Sequence, residues 1–153
     1  MQEYIVNRPQ PEALQRILEE HRFDAAGTII RLAWREGLLR DEITGLTWNR
    51  VSFLNDQLEL PDRQVPMLGE MRKFLEELSQ LQPPDAEYVV LSDRLAKPLT
   101  PQHASRLVRQ VLDEAGQPRV RLVDLRYDFI IRALRTEDWQ AVSRMTGMEA
   151  VPL

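Results

Sequence analysis

The stretch Arg121-Leu-Val-Asp-Leu-Arg-Tyr-Asp-Phe-Ile-Ile-Arg-Ala-Leu134 carries the residues best suited to chemistry. Leu122, Leu125, Phe129, Ile130, Ala133 and Leu134 recur at the three-and-four spacing of an amphipathic helix. Asp124 is expected to cap that helix, and Arg126 to project from its first turn. A guanidinium beside unpaired backbone N–H groups suits a phosphate oxyanion. A solvated arginine on a core helix is the simpler alternative.

Other chemistries find little support. His21 and His103, with no cysteine in the chain, make no metal-ligand pattern, and no cofactor or metal is expected. Glu19-Glu20 and Glu76-Glu77 are adjacent, so on a helix each pair points apart. There is no glycine-rich phosphate loop and no nucleophile elbow. The net charge of −4 argues against wrapping over nucleic acid by bulk electrostatics. The distribution is uneven, however. Between His103 and Arg135 seven arginines face four carboxylates, a net +3 that leaves −7 elsewhere. These arginines form either a local basic face or a solvated scatter around two helices.

The elements that must hold these residues read as mostly helical. With 153 residues and 43% hydrophobic content, a single core is expected: a weakly ordered lead over 1–10, then one domain over 11–153. No apolar run approaches a membrane span and no basic-then-apolar leader is present, so a cytoplasmic address is expected. Helices are expected from Pro11 to about His21, from Ala25 to Glu36 with Asp24 as cap and Gly37 as stop, and over about Arg40–Leu46. Val51–Leu54, an Asn55-Asp56 turn and Gln57–Leu60 read as a hairpin, and Arg63–Met67 as an edge strand because of Pro66. A helix follows on Leu68, Met71, Phe74, Leu75 and Leu78, then a short extended piece at Glu87–Leu91. Thr100-Pro101 starts the next helix, which stops at Gly116. After the Arg126 helix, Thr136 is expected to open a last helix that ends at Gly147.

Val123-Asp-Leu-Arg-Tyr-Asp-Phe129 resembles the His-x-Leu-Arg-His-x-Phe box of the tyrosine recombinases (phage integrases). In that family the arginine grips the scissile phosphate, which the resemblance assigns to Arg126. Val123 and Tyr127 then stand at the two histidine positions. Gly37-Leu-Leu-Arg-Asp-Glu-Ile-Thr-Gly-Leu-Thr-Trp48 is similar to the family's first-arginine box and puts Leu39 at the arginine position. Arg40 comes one residue late, a rotation of about a hundred degrees on a helix. It reaches the pocket only through a local shift, and a surface arginine beside Asp41 is the simpler reading. Glu42, at the acidic position, either pairs with a pocket arginine or is an exposed carboxylate. The hairpin that bears the family's lysine is reduced to Leu60–Val65, where Arg63 could contact a phosphate but, staying protonated, serves poorly as a general acid. Val142–Met148 is similar to the Leu-Gly-His box, with Met148 at the histidine position. The attacking tyrosine should follow, but no tyrosine occurs after Tyr127.

The resemblance implies an α+β fold, mainly α: a recombinase-catalytic-domain-like helical bundle with a small three-stranded antiparallel sheet. It also implies a catalytically degenerate chain, not an enzyme. Arg126, Arg40, Arg63 and Arg121 would be vestigial phosphate contacts, and Leu39, Val123, Tyr127 and Met148 altered family positions. The expected role is non-catalytic: a DNA-binding or accessory factor in integration, with weak, salt-sensitive binding to duplex DNA. The alternative is an interaction module that binds an active integrase or itself, with the tail Met148-Glu-Ala-Val-Pro-Leu153 as its contact.

Overall fold

A computed structural model describes residues 4–148. In chain order the elements are α1 (Pro11–Glu20), α2 (Ala25–Glu36), α3 (Arg40–Gly45), a 3-10 turn (Trp48–Arg50), β1 (Val51–Ser52), β2 (Gln57–Glu59), β3 (Gln64–Pro66), α4 (Met71–Leu81), α5 (Pro101–Glu114), α6 (Leu122–Ala133) and α7 (Trp139–Thr146). The architecture is the expected one, a helical bundle with a small antiparallel sheet.

α2 lies at the centre, with α1, α3, α5 and α6 packed around it. Its Ile29, Ile30, Leu32 and Ala33 are fully buried, an almost continuous apolar surface suited to a helix enclosed on several sides. Asp24 accepts Gly27 N at 2.9 Å as its cap, and Gly37 closes it at φ 72. A Cβ on Gly37 would lie 2.4 Å from the Phe129 ring, so this turn needs glycine for space as well as for backbone angle.

The sheet runs β1-β2-β3, both pairs antiparallel, with Val51 opposite Leu58 and Leu58 opposite Val65. These three side chains are buried on one face. Pro66 sits on an edge strand, where its missing N–H leaves no ladder bond broken. β1 is shorter than expected: Leu54 is 92% exposed, and Ser52 Oγ accepts Asn55 N at 3.1 Å to begin the turn.

Other boundaries also move for local reasons. α4 starts at Met71 rather than Leu68, because Gly69 at φ 55 interrupts the helical path. α7 starts at Trp139: Asp138, not Thr136, is the cap and accepts Ala141 N at 2.8 Å. Residues 4–10 have no regular structure, yet Asn7 N reaches Asp124 at 3.1 Å and Arg8 pairs with Asp128, both on α6. The tail after Met148 lies outside the described residues.

Candidate functional site

The starts of two helices and the middle of a third meet at one cleft. The N-terminus of α3 supplies Leu39 and Arg40, α5 supplies Ser105, Arg106 and Arg109, and the start of α6 supplies Arg121, Val123 and Arg126. The cavity between them is about 410 Å³. Among the described residues that line it, five are arginines and none is a carboxylate. Such a wall favours an anion, and guanidinium forks favour one with several oxygens, such as phosphate.

Arg126 is not where the sequence suggests. Arg121 takes the cap position, and Asp124 sits three residues on, accepting Arg121 N at 2.8 Å. Its other oxygen accepts Tyr4 Oη at 2.7 Å and Asn7 N. The helix therefore starts at Leu122, and Arg126 falls in its second turn with only 6% exposure. Its Nη1 donates to Gly37 O at 2.7 Å and its Nη2 to Thr146 O at 2.9 Å. One buried guanidinium thus ties the α2 C-cap to the end of α7. Burial pulls the Arg126 pKa below its ordinary value, while the Glu42 charge works the other way.

Arg40 reaches the cleft despite its one-residue offset. Its Nη1 donates to Ser105 Oγ at 3.2 Å, while its Nε keeps a contact with Asp41 at 3.2 Å. Arg40 thus lines the cleft without leaving Asp41, since a side chain of this length spans the displacement. Leu39, at 43% exposure, and Val123, at 39%, present apolar surface to the same cleft. Tyr127 is half-buried with its ring 5.4 Å from Tyr4, and Met148 packs against the small Phe129–Ile130–Val142 cluster.

Arg63 is not part of the cleft. Its Nη1 and Nη2 reach the two oxygens of Glu42 at 2.6 and 2.9 Å, and its Nε donates to Met145 O at 2.8 Å. Burial works against this charge, but the hydrogen bonds and charges of Glu42, and then of Asp62, outweigh it and raise the Arg63 pKa. Glu42 is therefore no solvated carboxylate: it also accepts Leu39 N at 2.8 Å and joins α3, the hairpin and α7. With side chains only 7% and 14% exposed, the pair should couple strongly. Arg63→Ala is expected to cost about 3 kcal/mol, since it leaves the Glu42 carboxylate without its partner, and Glu42→Ala less, because Arg63 Nη1 keeps Asp62 at 3.0 Å. A double-mutant cycle by urea denaturation should show the double variant losing less than the sum of the singles.

Arg106 and Arg109 were visible in the sequence only as part of a basic count. Their spacing of three on one face of the Thr100-capped helix is the signal that would have singled them out. Among the described residues neither has an ion-pair partner, and no group of acids, histidines or cysteines is arranged for a metal.

This helical bundle, hairpin and cleft make up the fold of the tyrosine-recombinase catalytic domain. The XerA recombinase crystal structure matches with a TM-score of 0.81 and 22% identity, over 97% of this chain and 58% of that one. The Tn1549 transposon integrase in complex with a circular intermediate DNA matches at 0.78 with 14% identity, over 97% of this chain and 60% of that one. A lambda integrase dimer bound to a COC' core site matches at 0.76 with 13% identity, over 97% and 47%. The chain thus spans roughly half to three fifths of these proteins. No family model matches its sequence, and no curated protein does. No helix among the described residues is long and apolar enough to cross a membrane.

Proposed function

We propose that this recombinase-related domain binds the phosphate backbone of duplex DNA through the arginine cleft without cleaving it, as an accessory factor in recombination or integration. The observation that carries this reading is five arginines around one cavity with no carboxylate among the described residues of its lining. The neighbours solved with DNA, the lambda and Tn1549 integrases, make the same ligand reasonable for a shared scaffold. Of the vestigial contacts, Arg40, Arg121 and Arg126 belong to this cleft, and Arg106 and Arg109 join them. We assign the DNA contact chiefly to the exposed members, because Arg126 and Arg63 spend their donors inside the protein.

The absence of chemistry is proposed from internal positions. Transesterification of a phosphodiester needs a nucleophile, cations around the pentacoordinate phosphate and a proton for the leaving oxygen. Leu39, Val123 and Met148 offer none of these at the family positions, and Arg63 is held by Glu42. Tyr4 lies against the start of α6, but burial and its bond to Asp124 push its phenol up to about 12, the wrong direction for an attacking phenolate. Action in the cytoplasm, and residues 11–153 working as one unit, are part of this proposal.

Fluorescence anisotropy with a labelled duplex tests it. Three to four phosphate contacts predict a loss of about a hundredfold in affinity between about 50 and 200 mM salt. Arg106→Ala/Arg109→Ala should weaken binding and reduce the salt slope by about two. No binding at low salt, together with concentration-dependent self-association, would instead favour the interaction module, a role suggested by the lambda integrase dimer and tetramer.

A further inference from the structure

A second arginine cluster lies at the other end of α6. Arg31 and Arg35, one turn apart on α2, and Arg132 near the end of α6 line a cavity of about 350 Å³. Arg132 is about 15 Å along α6 from Leu122, at the edge of the first cleft. The facing wall is the Leu68–Met71 entrance to α4, a helix with no side-chain cap on its first turn. Its amide dipole adds to the positive potential there.

Charge in this cavity is only partly answered. Arg132 Nε is 2.9 Å from Asp128, and its Nη2 donates to Trp34 O. Arg35 has no hydrogen bond or ion pair among the described residues; its guanidinium lies over the Trp34 ring, 4.6 Å from the centroid. Arg31 donates from Nη2 to Leu18 O at 3.3 Å and lies 4.4 Å over the Phe74 ring, while its buried Nε has no partner among the described residues. The acids nearby do not balance them. Glu70 also lines the cavity, exposed and in no ion pair among the described residues; Asp128 is already shared with Arg8 and Trp34, and burial pushes the pKa of the adjacent Glu36 carboxyl up to about 8. Burial, then Arg22 and Arg35, lower the Arg31 pKa; burial, then Arg132, lower that of Arg35.

We propose that this cavity is a second anion site, in which Arg31 and Arg35 hold a phosphate group opposite the start of α4. A phosphate presents oxygens in several directions and can meet two guanidinium forks and the helix end together, whereas the two coplanar oxygens of a carboxylate suit one fork. The Trp34 ring is buried, so the site recognises the phosphate and no stacked base. This holds whether or not the first cleft binds DNA.

The test is ¹H–¹⁵N NMR of the full chain titrated with inorganic phosphate and with pyrophosphate, read at the Gly69 and Met71 amides. Saturable shifts are expected there, at least tenfold weaker in Arg35→Glu and unchanged in Arg106→Ala/Arg109→Ala. Arg35 is exposed, so its replacement leaves the core intact. A short duplex added to the phosphate-bound protein identifies the source: displacement at Gly69 points to a DNA backbone phosphate, persistence to a free or small-molecule one. Absent or non-saturating shifts, equal affinity in Arg35→Glu, or loss in the Arg106→Ala/Arg109→Ala variant would overturn the second site.

Discussion

Arg126→Ala should unfold the domain more readily by about 3 kcal/mol or more, read as a fall in the urea midpoint at neutral pH. The residue at the core of the recombinase-like box acts here as a brace. Its guanidinium satisfies Gly37 O at the α2 C-cap and Thr146 O at the end of α7, both out of solvent. Removing it strands two buried carbonyls, each costing about 1–3 kcal/mol, and leaves a cavity besides. Arg109→Ala, on an exposed face of α5, should change stability by no more than about 0.5 kcal/mol. Equal stability of the Arg126→Ala variant and the parent would contradict this role. For the same reason Arg126→Ala is a poor probe of DNA binding, since lost binding could reflect lost structure.

Glu36 should make the protein less stable as pH rises from about 4.5 to 8, by about 4 kcal/mol across that window. The carboxyl at the end of α2 is fully buried, Oε1 accepting Leu68 N at 2.7 Å and Oε2 having no partner among the described residues. Burial raises its pKa from 4.5 to about 8, with the Leu68 bond opposing and the Asp56 charge adding. Below pH 4.5 the group is protonated in both folded and unfolded chains and has no effect. Between the two values only the unfolded chain has released the proton, so unfolding is progressively favoured; above about 8 the penalty is constant. Glu36→Gln keeps an acceptor for Leu68 N and cannot ionise. The stability difference between Glu36→Gln and the parent should therefore be small near pH 4 and grow to about 4 kcal/mol near pH 8. A difference independent of pH would contradict the buried neutral carboxyl.

Much of the fold was legible because its signals are local. Asp24 with Gly37, Thr100-Pro101 and Gly147 mark helix ends by their own side-chain and backbone chemistry. Pro66 placed the edge strand. The site was less legible because its geometry depends on residues far apart in the chain. Asp124 looked like a cap, but its oxygens serve Arg121, Tyr4 and Asn7, and this moved Arg126 one turn inward. Glu42 and Arg63 are 21 residues apart and show no shared pattern, yet form one of the least exposed ion pairs. Arg40 is one residue off the family position, a rotation that hides its reach; its long side chain spans the offset, and Ser105, on another helix, completes its contact with the cleft.

Hydrogen–deuterium exchange of the protein with and without a saturating duplex tests the DNA-binding cleft most directly. Protection is expected where the backbone borders the cleft, in peptides covering 38–42, 103–110 and 121–127, and it should fade as salt is raised. A bound duplex that protects other surfaces and leaves these three segments unchanged would show that the arginine cleft is not the DNA contact.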